Sequence, residues 1–222
     1  MEEYKINDKT ISFPSSWEDC SWEKFMQFVK LSESIDSQEK IKGTDQADEW
    51  EQTLKDLKNN TKVLSFWCGL PESEISLMDL DIANDVMTKL TWVGESYKPI
   101  NIDSFTLGTE KFYLPEKLMS KGSFGRFIEA EQLELQSNML ENGVLEILPR
   151  QIAILCKKEG EEEKLDDALI DKRAEMFKKL DMATIWDVAF FLNKLEQKLM
   201  ISFLTSRAKE ETQKQKLQQK EQ

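Results

Sequence analysis

Tyr4, Ile6, Ile11 and Phe13 alternate with polar positions around Asn7-Asp8, the pattern of a short β-hairpin over residues 4–13. Pro14 closes it. Ser21 stands where a helix cap belongs, and Trp22, Phe25, Met26 and Val29 follow at i, i+3, i+4 and i+7, which predicts an amphipathic helix. Ser32–Asp48 is polar, contains Gly43-Thr44-Asp45, and reads as a loop or a frayed helix end. Trp50, Leu54, Leu57, Leu64, Trp67 and Cys68 then share one face of a second helix, which Gly69-Leu70-Pro71 stops with Gly69 as the C-terminal cap. A helical turn at Glu72–Ile75 and a helix from about Asp81 to Val93 precede the break at Gly94–Pro99.

The second half opens the same way. A hairpin is predicted over about Phe105–Leu114, then a helix capped by Ser123 with Phe124, Phe127 and Ile128, running through Leu135 to Leu140. Asn142-Gly143 separates it from the apolar segment Val144–Cys156. The last helix carries the widest apolar surface. Ile185, Val188, Leu192, Leu195, Leu199 and Phe203 make its stripe, and Phe190, Phe191 and Met200 widen it. From Ala208 to Gln222 only Leu217 is large and apolar, so that tail is helix-prone without a face to dock and is expected to fray or be disordered unless a partner orders it on assembly.

The two halves echo one another. Ile6-Asn7-Asp8-Lys9-Thr10-Ile11-Ser12-Phe13-Pro14 before Ser21-Trp22-Glu23-Lys24-Phe25 is matched by Leu107-Gly108-Thr109-Glu110-Lys111-Phe112-Tyr113-Leu114-Pro115 before Ser123-Phe124-Gly125-Arg126-Phe127. Leu80-Asp81-Ile82-Ala83 resembles Leu180-Asp181-Met182-Ala183, and Phe66-Trp67-Cys68 resembles Ile154-Leu155-Cys156. Extra residues near 35–48 and 157–176 are then loop insertions. The expected fold class is α+β: mainly α with two short β-hairpins and a two-fold internal repeat. Residues 1–98 form the first half, 99–206 the second, and 207–222 a polar helical or disordered tail.

Composition narrows the chemistry. A net charge of −12 repels nucleic-acid phosphates and anionic lipid, so neither nucleic acid nor membrane is an expected partner; a basic protein partner or a simply solvated acidic surface fits better. Histidine is absent, which removes the usual general base near neutral pH and the commonest transition-metal ligand. Cys20, Cys68 and Cys156 are odd in number and widely spaced, with no Cys-x-x-Cys pair; Cys68 and Cys156 sit on apolar helix faces as small hydrophobes. The charged opening Met1-Glu2-Glu3-Tyr4-Lys5 reads as lacking a secretory signal, and synthesis in a reducing cytoplasm is expected.

No motif names a reaction. Glu159–Asp167 is acidic but lacks the alternating ligands of a calcium loop, and reads as solvated. Asp81 and Asp85 lie one helical turn apart, with Asp81, like Asp181, read as a cap or turn residue. Lys121-Gly122-Ser123-Phe124-Gly125-Arg126 could hold an anion at a helix start, yet has neither Walker nor dinucleotide spacing; its glycines suit a turn and close helix approach. Glu129, Glu131 and Glu134 offer paired carboxylates, for which solvent-facing helix positions are the simpler reading. No catalytic residue, metal ligand or cofactor is therefore expected.

The Trp22-x-x-Phe25 helix after its hairpin, the Val63-Leu64-Ser65-Phe66-Trp67-Cys68-Gly69-Leu70-Pro71-Glu72 helix end and the Phe112–Ile128 segment together resemble tail-assembly-chaperone-like and virion-associated proteins of tailed bacteriophages. The resemblance spans most of residues 4–204. It implies a helix-rich, non-enzymatic protein that holds an aggregation-prone tail component and binds other phage structural proteins, of tail or capsid. Its place would be the host cytoplasm during assembly, or the virion itself. The alternatives are a structural component at a portal, capsid or tail joint, and a nucleotide- or anion-binding protein using residues 121–126. Phe190, Phe191, Met200 and Phe203 are the candidate partner-binding residues, although most are expected in the core.

Overall fold

Ser21 begins the first helix as the sequence predicts: its Oγ accepts from Lys24 N at 3.2 Å. The computed structural model describes residues 1–6, 9–36, 46–116, 124–137, 143–161 and 166–220. Of the described residues 66% are helical, with two small antiparallel sheets, an α+β architecture. The chain separates into two compact units, residues 1–98 with 178–183 and residues 99–177 with 184–222.

In the first unit, strands β1 (Glu2–Ile6) and β2 (Lys9–Phe13) pair from Glu2↔Phe13 to Ile6↔Lys9. In β2 the alternation works as read: Ile11 and Phe13 are buried while Lys9, Thr10 and Ser12 are exposed; Tyr4 is half-buried, and the Ile6 side chain and the Asn7-Asp8 turn lie outside the described residues. Helix α1 (Trp22–Asp36) buries Trp22, Phe25 and Met26. Among its described side chains, helix α2 (Gln46–Cys68) buries Leu64, Trp67 and Cys68, all in its C-terminal part. Leu54 and Leu57, expected on the same buried face, are more than half exposed, and the side chain of Trp50 lies outside the described set. The apolar period continues for turns beyond the part of the helix that has a core to face. Gly69 takes φ 65° just past α2, and Leu70 N reaches back to Ser65 O at 3.2 Å, a Schellman closure. A Cβ at Gly69 would meet nothing within 4 Å, so its cost is conformational alone. Gly69→Ala should therefore destabilise by about 1 kcal/mol in urea denaturation without altering the fold.

Helices α3 (Glu72–Ile75) and α4 (Leu80–Lys89) and a 3₁₀ turn at Thr91–Gly94 complete this unit. Asp79 rather than Asp81 caps α4: its carboxylate accepts from Asp81 N at 2.9 Å, placing Asp81 inside the first turn. Trp17 and Trp92 meet edge to face at 5.0 Å, Trp67 and Trp92 at 5.7 Å, and Trp92 Nε1 donates to Pro14 O at 3.2 Å. Residues 178–183 stitch onto the start of α1. Trp22 N donates to Leu180 O at 2.9 Å, Glu23 N to Lys178 O at 3.0 Å, and Met182 N returns to Cys20 O at 2.7 Å. The amides that a helix start leaves unpaired are thus satisfied by a segment more than 150 residues away in sequence.

In the second unit, β3 (Ser104–Leu107) and β4 (Glu110–Tyr113) form the predicted hairpin, turning at Gly108 with φ 62°. A third strand, β5 (Lys157–Lys158), extends the sheet beside β4. Helix α5 spans Phe124–Ser137; the Ser123 cap and the residues expected to reach Leu140 lie outside the described set. Helix α6 (Val144–Leu155) is the central element: from Ile147 to Leu155 every residue except Arg150 is buried.

The stretch read as an insertion, 157–176, is largely ordered instead. β5 is followed by α7 (Asp167–Phe177), which packs on α6 and buries Ile170, Arg173, Ala174 and Phe177. The echoed Leu-Asp-x-Ala segments also play different parts. Leu80–Ala83 starts α4, whereas Asp181 bridges to Ser21 just before α8 (Met182–Lys220). Of the tail, expected to be polar helix or disordered, residues 207–220 continue α8 as helix.

Candidate functional site

Helix α8 has two faces with different fates. Ile185 and Val188, on the predicted stripe, are fully buried. Asp187 is buried beside them and accepts from Ile100 N at 2.8 Å. On the opposite side Phe190 is 42% exposed, and about three helical turns later Ile201 is 64% exposed on the same face. Met200, 57% exposed, flanks that line, and Phe191 is half-buried. Lys194 Nζ lies over the Phe190 ring at 4.5 Å while donating to Asn101 Oδ1 at 3.1 Å. Of the four candidate partner-binding residues, Phe190 and Met200 are thus exposed rather than in the core, and the Phe203 side chain lies outside the described set.

Beside the buried face is a pocket of about 140 Å³. Helix α5 lines it with Phe127, Ala130, Glu131 and Glu134, α6 with Val144, Leu148, Gln151 and Leu155, and α8 with Ala189, Leu192, Asn193 and Glu196. Carboxylate oxygens of Glu131, Glu134 and Glu196 all lie within 4.8 Å of one another. Burial, then the charges of Glu196 and Glu134, push the Glu131 carboxyl above its usual range; burial and Glu134 do the same to Glu196. Gln151 Nε2 donates to Glu134 Oε2 at 3.3 Å and, at the limit of a hydrogen bond, to Ala130 O at 3.5 Å. Exposed acidic groups of this spacing are common without an ion, and the cluster by itself identifies no metal site. Glu131 and Glu134 were visible as carboxylates one turn apart, whereas Glu196 joins them from another helix, which helical periodicity cannot reveal.

No protein-family model, curated protein or solved structure matches this chain.

The other candidates are drawn into structural roles. Residues 121–123 lie outside the described set, and the charge of Arg126 acts on the Glu161 carboxylate. Asp85 pairs with Lys89 at 3.6 Å across one turn of α4. The acidic run is not uniformly solvated: Glu159 accepts from Tyr113 Oη at 2.8 Å, Glu161 pairs with the buried Arg173, and Asp166 Oδ1 caps α7 by accepting from Leu169 N at 2.8 Å. Cys20, Cys68 and Cys156 are buried free thiols, pushed up by burial to about 12, about 11 and about 12. Thiols held so far from ionisation make poor nucleophiles near neutral pH. Among the described residues no helix is long and apolar enough to cross a membrane.

Proposed function

We propose that this chain is a non-catalytic morphogenesis protein of a tailed bacteriophage, which binds other phage structural proteins in the manner of a tail-assembly chaperone. The observation that carries the binding role is the outer face of α8, where Phe190, Met200 and Ile201 stand exposed. Large apolar side chains gathered on one exposed face mark an interaction surface more often than isolated ones do. A helix presenting such a row can lay it into an apolar groove of a partner, with anchors one or more turns apart. The phage assignment rests on the resemblance of the hairpin–Trp22-x-x-Phe25 and Gly69-Leu70-Pro71 segments.

The test is affinity capture of the tagged full-length chain from infected native host cells, with bound proteins identified and their ratio measured. A tail or capsid structural protein held in fixed ratio is the expected result. Recovery of the chain alone contradicts the proposal. The chain's presence at fixed copy number in purified particles would make it a retained joint component instead of a chaperone.

A further inference from the structure

We propose that Glu131, Glu134 and Glu196 form a proton-controlled latch that sets how tightly the middle of α8 is held against α5 and α6. Glu131 and Glu134 are three residues apart on α5 and therefore share a face, and Glu196 sits one turn beyond Leu192, whose side chain lines the same pocket. The apolar residues Ala130, Leu148 and Leu192 surround the meeting point, so the three carboxylates converge in a half-buried setting.

What faces them decides their behaviour. Helix α6 offers Gln151, a neutral amide, and α8 offers Asn193 beside Glu196. The charges that act on Glu131 and Glu196 are those of the other carboxylates. Nearby cations are engaged elsewhere or exposed. Lys194 turns to Asn101 and the Phe190 ring, Arg150 pairs with Asp171, the charge of Arg126 acts on Glu161, and Lys198 is exposed. Like charges this close in a partly desolvated site repel strongly, so Glu131 and Glu196 hold their protons above the ordinary carboxyl range beside the Glu134 carboxylate. A protonated member also donates an O–H to a charged neighbour, turning repulsion into a hydrogen bond between α5 and α8.

The linkage has one sign. Folded Glu131 and Glu196 bind more protons than the unfolded chain does between the ordinary glutamate value of 4.5 and their raised folded values. Their contribution to stability is full below 4.5 and lost as pH rises through the folded values. Acidification from neutral pH therefore tightens α8 onto α5 and α6, and neutral pH loosens it. Glu161 and Asp19, whose carboxyls are held low, shift stability the opposite way, so a raw pH profile would mix the two effects. A difference between variants separates them.

The experiment compares the full chain with Glu196→Gln and, on the other helix, Glu131→Gln, by melting temperature and by amide exchange of residues 184–200 from pH 4.5 to 7.5. Either variant should melt higher than wild type at pH 7.5, with α8 amides better protected. Each pKa unit of elevation in the wild-type cluster corresponds to about tenfold in protection. The advantage should vanish towards pH 4.5. A variant-minus-wild-type difference that is flat with pH overturns the proposal. So does magnesium or calcium chloride that raises the melting temperature of wild type, but not of Glu196→Gln, at pH 7.5, because the cluster would then hold a cation. Neither outcome depends on the phage reading.

Discussion

Glu161→Ala is expected to destabilise the second unit by about 3 kcal/mol, a large loss for a residue in a run that reads as solvated acid. Arg173 is only 4% exposed, its guanidinium lies 5.8 Å from the centre of the Phe112 ring, and its Nη2 donates to Glu161 Oε1. Glu161 Oε2 also accepts from Lys158 N at 3.2 Å, tying β5 to the same carboxylate. Removing the carboxylate leaves a guanidinium charge buried against an aromatic ring, and the cost of an uncompensated charge exceeds the net worth of the pair. Arg173→Met with Glu161→Leu should therefore recover most of the loss, since neither charge remains. Burial raises the Glu161 carboxyl, but the hydrogen bond and charge of Arg173 outweigh it and hold it below its ordinary 4.5. The pair's contribution is thus present above pH 4.5 and lost as pH falls through the lower folded value. Urea denaturation at pH 7 and pH 3 checks both points; a loss under about 0.5 kcal/mol for Glu161→Ala, the range of ordinary surface changes, would refute the buried-pair reading.

Phe177→Ala is expected to cost about 3–5 kcal/mol. Phe177 is fully buried and meets Phe112 at 4.8 Å and Phe105 at 5.5 Å, both edge to face, while Phe105 and Phe112 stack at 5.4 Å across the β3–β4 pair. The three rings join α7 to the sheet, so a cavity there loosens β3, β4 and α7 together. Phe190→Ala, the same change at an exposed site, should stay within about 0.5 kcal/mol. Equal losses at the two positions would mean that the outer face of α8 is packed in solution.

The contrast between these two phenylalanines shows where sequence reasoning runs out. Local signals were legible: the alternation through Ile11 and Phe13, the Ser21 cap, the Gly69 stop and the Ile185–Val188 stripe each act within a turn or a strand pair. Long-range placement was not. Strand β5 is two lysines, recognisable only through its pairing with β4, and α7 is too charged to advertise the single apolar side it buries. The capping of α1 by residues 178–183 joins distant segments through backbone groups, which leave no trace in side-chain periodicity. For the same reason the echo between halves predicted two hairpins but not the different uses of Leu80–Ala83 and Leu180–Ala183.

The central claim is that the outer face of α8 binds a phage structural protein. Its most direct measurement is capture from infected host cells by the wild-type chain and by Phe190→Ala/Met200→Ala in parallel, with melting temperatures recorded for both. Equal melting within about 2 °C is expected, as surface truncations should give. A tail or capsid structural protein should be held in fixed ratio by wild type and lost from the variant. A variant that folds equally well and retains the same partner in the same ratio would contradict it.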